Sequence, residues 1–143
     1  MRTPKTKTRR YPQVGRRPRS DVMLRVLVGY EDSHRSYGEA LAASIWGSRP
    51  RAEVTLVQVR GLGPELRRLD PHVVVVCGQP NTVDPGGRGA WIRLSEDPDE
   101  PSEVCLAGRR RRVRNPGMEE LLAVIDEAEE LVVGGRGDDL GGC

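Results

Sequence analysis

Val73–Cys77 (VVVVC) is an apolar run of five residues with no polar alternation, and no apolar run in the chain is longer. A strand with one wet face alternates apolar and polar side chains. An unbroken run needs cover on both faces, the condition of a central strand in a parallel sheet. The run is far shorter than the roughly 20 apolar residues of a membrane helix, and the mean hydropathy of −0.54 agrees. The segments before it alternate in type. Leu24–Tyr30 is rich in Val and Leu and reads as strand one. Tyr37, Leu41 and Ile45 recur at helical spacing over about 36–46. Glu53–Val59 alternates with period two as strand two, and Leu62, Leu66 and Leu69 mark a short second helix that Pro71 stops. The order β-α-β-α-β with short connections predicts an α/β sheet with right-handed crossovers.

Past Cys77 the alternation weakens. Residues 78–89 (GQPNTVDPGGRG) are dense in Gly and Pro and read as loop, Ala90–Leu94 as strand four. The acidic segment 95–102 (SEDPDEPS) is too short for a packed helix, and Glu103–Ala107 reads as strand five. Gly108 followed by Arg109–Arg114 suggests a hairpin turn or an arginine-rich edge. Asn115-Pro116 offers a helix cap with proline at the first position, and a final helix follows over about 118–132. Its stripe is Met118, Leu121, Leu122, Ile125, Ala128, Leu131 and Val132. The expected fold is a three-layer α/β domain over 23–133. It has a parallel five-stranded sheet, with the helices after strands three and four reduced to loops. One sheet face is then thinly covered, which favours a protein partner or a homodimer.

Charge is unevenly placed. Residues 1–20 hold eight basic side chains and no acid, while residues 21–143 hold the other 15 basic and all 21 acidic ones, a net of −6. Both lysines, Lys5 and Lys7, lie in the tail. Residues 1–22 read as a disordered basic tail, and 134–143 as a flexible Gly-rich one. Met23, directly before strand one, is an alternative start that would leave the tail untranslated. The tail also suits nucleic-acid phosphates by counterion release or an anionic membrane surface; of the two, nucleic acid is the stronger reading. Three cysteines (Cys77, Cys105, Cys143) without a C-x-x-C pair are too few for a disulfide framework, so a reduced, cytoplasmic protein is expected.

Three stretches resemble a response-regulator receiver domain, a flavodoxin-type fold. Arg25–Asp32 (RVLVGYED) matches a strand ending in acids, Leu66–Cys77 (LRRLDPHVVVVC) a helix-then-strand unit, and Asn115–Ile125 (NPGMEELLAVI) the family's Lys-Pro junction and last helix. The resemblance puts Cys77 at the phospho-acceptor aspartate, Glu31 and Asp32 at the residual acidic pair, and Asn115 at the phosphoryl-binding lysine. A thiolate is a poor Mg²⁺ ligand, and the body has no lysine to replace the missing cation. The resemblance therefore implies a degenerate receiver: a phosphorylation-independent regulatory or protein-interaction module, not an enzyme, without metal or cofactor. A second likeness, to universal stress proteins, is carried by Val26–Ala40 (VLVGYEDSHRSYGEA) and Leu131–Gly137 (LVVGGRG) and implies a nucleotide binder.

The remaining signals are weaker. Gly61 and Gly63 lack the third glycine of a dinucleotide fingerprint. Arg109, Arg110, Arg111 and Arg112 are phosphate-contact candidates, weighed against a solvated hairpin. His34 and His72 have no Ser or Cys at motif spacing and read as surface or strand-edge residues. Cys77 reads as a small buried hydrophobe rather than a reactive thiol.

Overall fold

The computed structural model describes residues 8–12, 23–77 and 89–143. Seven strands form one mixed sheet: β1 (Thr8–Arg10), β2 (Arg25–Tyr30), β3 (Glu53–Gln58), β4 (Val73–Cys77), β5 (Ala90–Leu94), β6 (Ser102–Leu106) and β7 (Arg109–Val113). Their spatial order is β1-β3-β2-β4-β5-β6-β7. Pairing is parallel from β3 through β2 and β4 to β5, and antiparallel at β1–β3, β5–β6 and β6–β7. The expected parallel five-stranded sheet is therefore corrected. The sheet has four parallel strands flanked by an antiparallel strand on one side and an antiparallel pair on the other.

The reversal at β6 has a simple cause. Only the seven residues 95–101 separate β5 from β6, and a parallel return needs a crossover of about a dozen or more. The next link is tighter still. Ala107 and Gly108 alone join β6 to β7, with φ of 54° and 76°. Two central residues at positive φ define a type I′ hairpin, which Asn-Gly or Gly-Gly satisfy better than alanine. The loop expected at 78–89 lies, except for Gly89, outside the described residues.

Among the described residues three α-helices cover the sheet: α1 (Arg35–Ser48), α2 (Leu62–Leu69) and α3 (Met118–Val133). α1 and α3 pack on one face, against the alternate residues Val26, Val28, Val54, Val73, Val75, Ile92 and Val104. α2 packs on the other, where Leu62 meets Leu27, Val57, Val74 and Val76. Every residue of β4 is buried, as its unbroken apolar run requires. Gly38 lets α1 approach the sheet, since a Cβ there would lie 2.7 Å from that of Tyr30. The start of α3 differs from expectation. Its N-cap is Gly117, while Asn115 takes φ 42° in the preceding bend.

Both expected tails touch the body. Tyr11 stacks near Trp46 with ring centroids 5.7 Å apart, and its N–H donates to the Val54 carbonyl, so β1 is anchored against α1 and β3. Thr8–Arg10 of the basic segment thus form an edge strand of the sheet; the rest of the expected tail, apart from Tyr11 and Pro12, lies outside the described residues. At the other end Leu140 is 1% exposed, and its carbonyl accepts from Ala107 N–H at 2.8 Å. Cys143 forms a disulfide with Cys105, their Cα atoms 6.1 Å apart. The expected set of reduced thiols is corrected to one free cysteine, Cys77, and one pair. The pairing depends on the return of the chain end to β6, which no local pattern encodes.

His72 joins the amino ends of β2 and β4. Its ring Nδ1 accepts from the Arg25 backbone N–H at 2.9 Å, and the His72 backbone N–H donates to the Arg25 carbonyl. Burial, with the Arg25 charge second, lowers its pKa to about 4. Above the ordinary 6.5 the ring is neutral whether folded or unfolded. As pH falls below 6.5 the unfolded chain binds a proton that the folded chain refuses, so stability drains until about pH 4. Two outcomes are expected. In denaturant titrations, His72→Asn shows a flatter loss of stability between pH 7 and 5 than the parent; parallel curves would contradict the assignment. Ala107→Gly raises stability by about 0.5–1 kcal/mol through relief of the positive φ, measured by the same unfolding midpoint.

Candidate functional site

Two places in the sheet gather chemically capable side chains. The first is the carboxyl end of the parallel strands, where open α/β sheets place ligands beside the strand at which the order reverses. Here that is the β2–β4 boundary. Tyr30 pairs with Cys77 across it, and Glu31 and Asp32 follow directly. Cys77 is 1% exposed, and burial pushes its thiol up to about 12. A protonated thiol is neither a nucleophile nor a metal ligand at neutral pH. Asp32 accepts from Gln58 Nε2 at 2.9 Å, and the Glu31 carbonyl accepts from His34 N–H at 2.8 Å. The acidic pair is thus built into the turn that leads to α1.

The lysine position of the resemblance is not brought to this point. Asn115 follows β7, which stands three strand spacings from β4, on the order of 14 Å. Among the described residues no three His, Cys, Asp or Glu side chains converge as a metal site. What the structure does assemble is a chain that sequence spacing does not show. Ser33 Oγ lies 2.9 Å from His34 Nδ1, and His34 Nε2 lies 2.8 Å from Glu96 Oε2. His34 has no Ser or Cys at motif spacing in the sequence; its neighbour Ser33 and the β5–β6 connection supply both partners. The chain straps the start of α1 to that connection. With Ser33 and Glu96 exposed, it sits in water rather than in an enclosed catalytic pocket.

The second place is the β5–β7 half of the sheet, on the same face as α2, where Trp91 and Cys105 are buried in one cluster with Leu62. Register sets two rows of side chains there. Val74, Trp91, Cys105 and Arg110 lie side by side in one; Val76, Arg93, Glu103 and Arg112 form the next. The Arg93 guanidinium carbon stands 4.8 Å from the centre of the Trp91 ring, and that of Arg110 stands 5.3 Å from it. Each distance suits a cation–π contact. Glu103 is the one carboxylate in the two rows, and it meets Arg93 Nη1 only at 4.0 Å. Arg93 Nε is buried with no hydrogen-bond partner among the described residues.

The four candidate arginines divide by alternation. Arg110 and Arg112 belong to this face. Arg109 and Arg111 turn to the other side, where Arg111 lines a cleft with Ile92, Val104, Val113, Glu120 and Glu127. That cleft holds about 220 Å³, less than the roughly 300–1,000 Å³ of small-molecule pockets. The tail arginines Arg9 and Arg10 lie in β1, at the opposite sheet edge from β7 and on the order of 29 Å away across six strand spacings. The glycine segment of the second likeness also lies apart from the strand carboxyl ends. Gly137 and Asp138 share a cleft with Arg25, His72 and Gly89 at the amino ends of β2 and β4.

Trp91-x-Arg93 on one strand and Arg110-x-Arg112 on another are legible as strand alternation, but their meeting requires the β6 reversal. Among the described residues no helix is long and apolar enough to cross a membrane. Compared with protein families, curated proteins and solved structures, the chain gives no match, so the receiver likeness rests on the quoted residues alone. Iodoacetamide at pH 8 is expected to leave Cys77 of the native chain unlabelled and to label it on denaturation, as read by mass spectrometry; rapid native labelling would reverse the assignment of a buried, protonated thiol.

Proposed function

We propose that the chain is a regulatory module that acts by binding, without covalent phosphorylation at the strand ends, and that its working surface is the arginine-bearing β5–β7 half of the sheet. One observation carries the reading. Arg93, Arg110 and Arg112 stand in two adjacent rows with the single carboxylate Glu103. The β2–β4 crevice, by contrast, holds a buried thiol whose pKa is raised to about 12. Guanidinium charge in excess of carboxylate favours an anionic partner, and the packed Arg93 is held in place before binding.

The expected location is the cytoplasm. In reducing surroundings the Cys105–Cys143 pair opens unless its potential lies well below that of the glutathione pool. Nucleic acid remains the competing partner, but only through the tail, since Arg9 and Arg10 stand at the far edge from β7.

The test uses the full chain. Thermal unfolding is followed with sulfate, phosphate or a dicarboxylate added at constant ionic strength. A rise in Tm is expected that fades between about 50 and 300 mM salt and disappears in the double variant Arg110→Glu, Arg112→Glu. A rise that survives in this variant, or is lost only on deletion of residues 1–22, would refute the β5–β7 assignment.

A further inference from the structure

Resting on that reading, we propose that Trp91, Arg93 and Arg110 form a site for a phosphoryl dianion carried by a small ligand, with Arg112 at its rim. The two guanidiniums approach the same indole, at 4.8 and 5.3 Å from its centre. Two cations brought to one ring repel each other, and Glu103 offsets only part of this, at 4.0 Å from Arg93. An anion seated between them removes that repulsion. Three arginines against one carboxylate leave a surplus of two positive charges, which matches a phosphoryl dianion better than a monocarboxylate. Arginine forks bind phosphate oxygens in pairs.

Strand register fixes the geometry. Trp91 faces Cys105, and Cys105 faces Arg110, on three neighbouring strands. Arg93 follows Trp91 by two residues on the same strand, so both project from the same face. The indole, 4% exposed, serves as a floor for the guanidiniums rather than as a stacking surface for a base. Arg93 side-chain exposure is only 14%, so its orientation is set by packing before any ligand arrives.

The surroundings limit the ligand to a small one. The connection 95–101, with Glu96, Asp97, Asp99 and Glu100, borders the β5–β6 end of the patch. Glu120 and Glu127 of α3 line the cleft beside Arg111 on the opposite face, away from this site. A polyanion running past the 95–101 end of the patch meets carboxylates; a single phosphoryl group does not. Free phosphate and a phosphorylated metabolite share the recognised chemistry.

The experiment follows Trp91 fluorescence in full-length protein carrying Trp46→Phe, so that one indole reports. Inorganic phosphate, pyrophosphate, a sugar phosphate, malonate and a single-stranded oligonucleotide are titrated at constant ionic strength. Saturable change is expected with the phosphates, at about tenfold lower concentration than with malonate. A sugar phosphate binding more tightly than inorganic phosphate identifies the carried group as the source, and equal binding identifies the free ion. Arg93→Gln is expected to weaken phosphate binding by about tenfold or more, and Arg93→Lys, which keeps the charge and packing stem but loses the fork, by less. Circular dichroism confirms the fold of each variant. No fluorescence change with any phosphate, equal affinity for malonate, or stronger binding of the oligonucleotide overturns the proposal. If Arg93→Gln and Arg93→Lys bind as the parent while Arg110→Glu, Arg112→Glu does not, the β5–β7 surface stands and this site falls.

Discussion

The two-sided burial of β4 is the constraint on which the rest of the molecule depends. Its Val73–Cys77 side chains are all buried, and each such side chain contributes about 1.5–3 kcal/mol when removed from water. That gain requires cover above and below. α1 and α3 supply one layer and α2 the other. Parallel neighbours β2 and β5 flank the strand, and parallel pairing forces the connections out over the faces. The same burial silences Cys77. A thiol buried between Tyr30 and Leu94 of the neighbouring strands stays protonated near neutral pH, so Cys77 itself is no nucleophile there.

Much of this was legible in the sequence, for physical reasons. Side-chain period tells a strand covered on both faces from one half wet, so β2, β3, β4 and β5 and the long helices were read within a few residues of their bounds. The direction of β6 was not, although the information was present. Seven residues between strands exclude a parallel return, and a two-residue Ala107-Gly108 link excludes it again for β7. Connection length decides direction, and the likeness to an all-parallel family outweighed it. β1 escaped notice because Thr8–Arg10 has no apolar alternation; its anchor is Tyr11 against Trp46, a contact between residues 35 apart in the chain. The cap of α3 moved to Gly117 because Asn115 serves the bend rather than the helix.

The candidate site was legible only in pieces. The arginine run reads as a block in the sequence, yet alternation splits it between two faces, and Trp91 and Arg93 read only as parts of strand four. Their convergence is a property of sheet order. Sequence-adjacent Ser33 and His34 likewise form no motif by themselves; Glu96, from a distant connection, completes their hydrogen-bonded chain. Local pattern assigns each residue a face; only tertiary topology says which residues on that face become neighbours.

The bond between Cys105 and Cys143 has a consequence for how the molecule opens. It closes a loop spanning 38 positions that contains β7 and α3 but none of β2, β3 or β4. A covalent loop restricts only the unfolded excursions of the residues within it. Local opening of β7 and α3 is therefore costlier in the oxidised chain, while the parallel strands gain nothing of the kind directly. Amide hydrogen exchange in the two halves should therefore respond unequally to reductant, faster in β7 and α3 and little changed in the parallel strands.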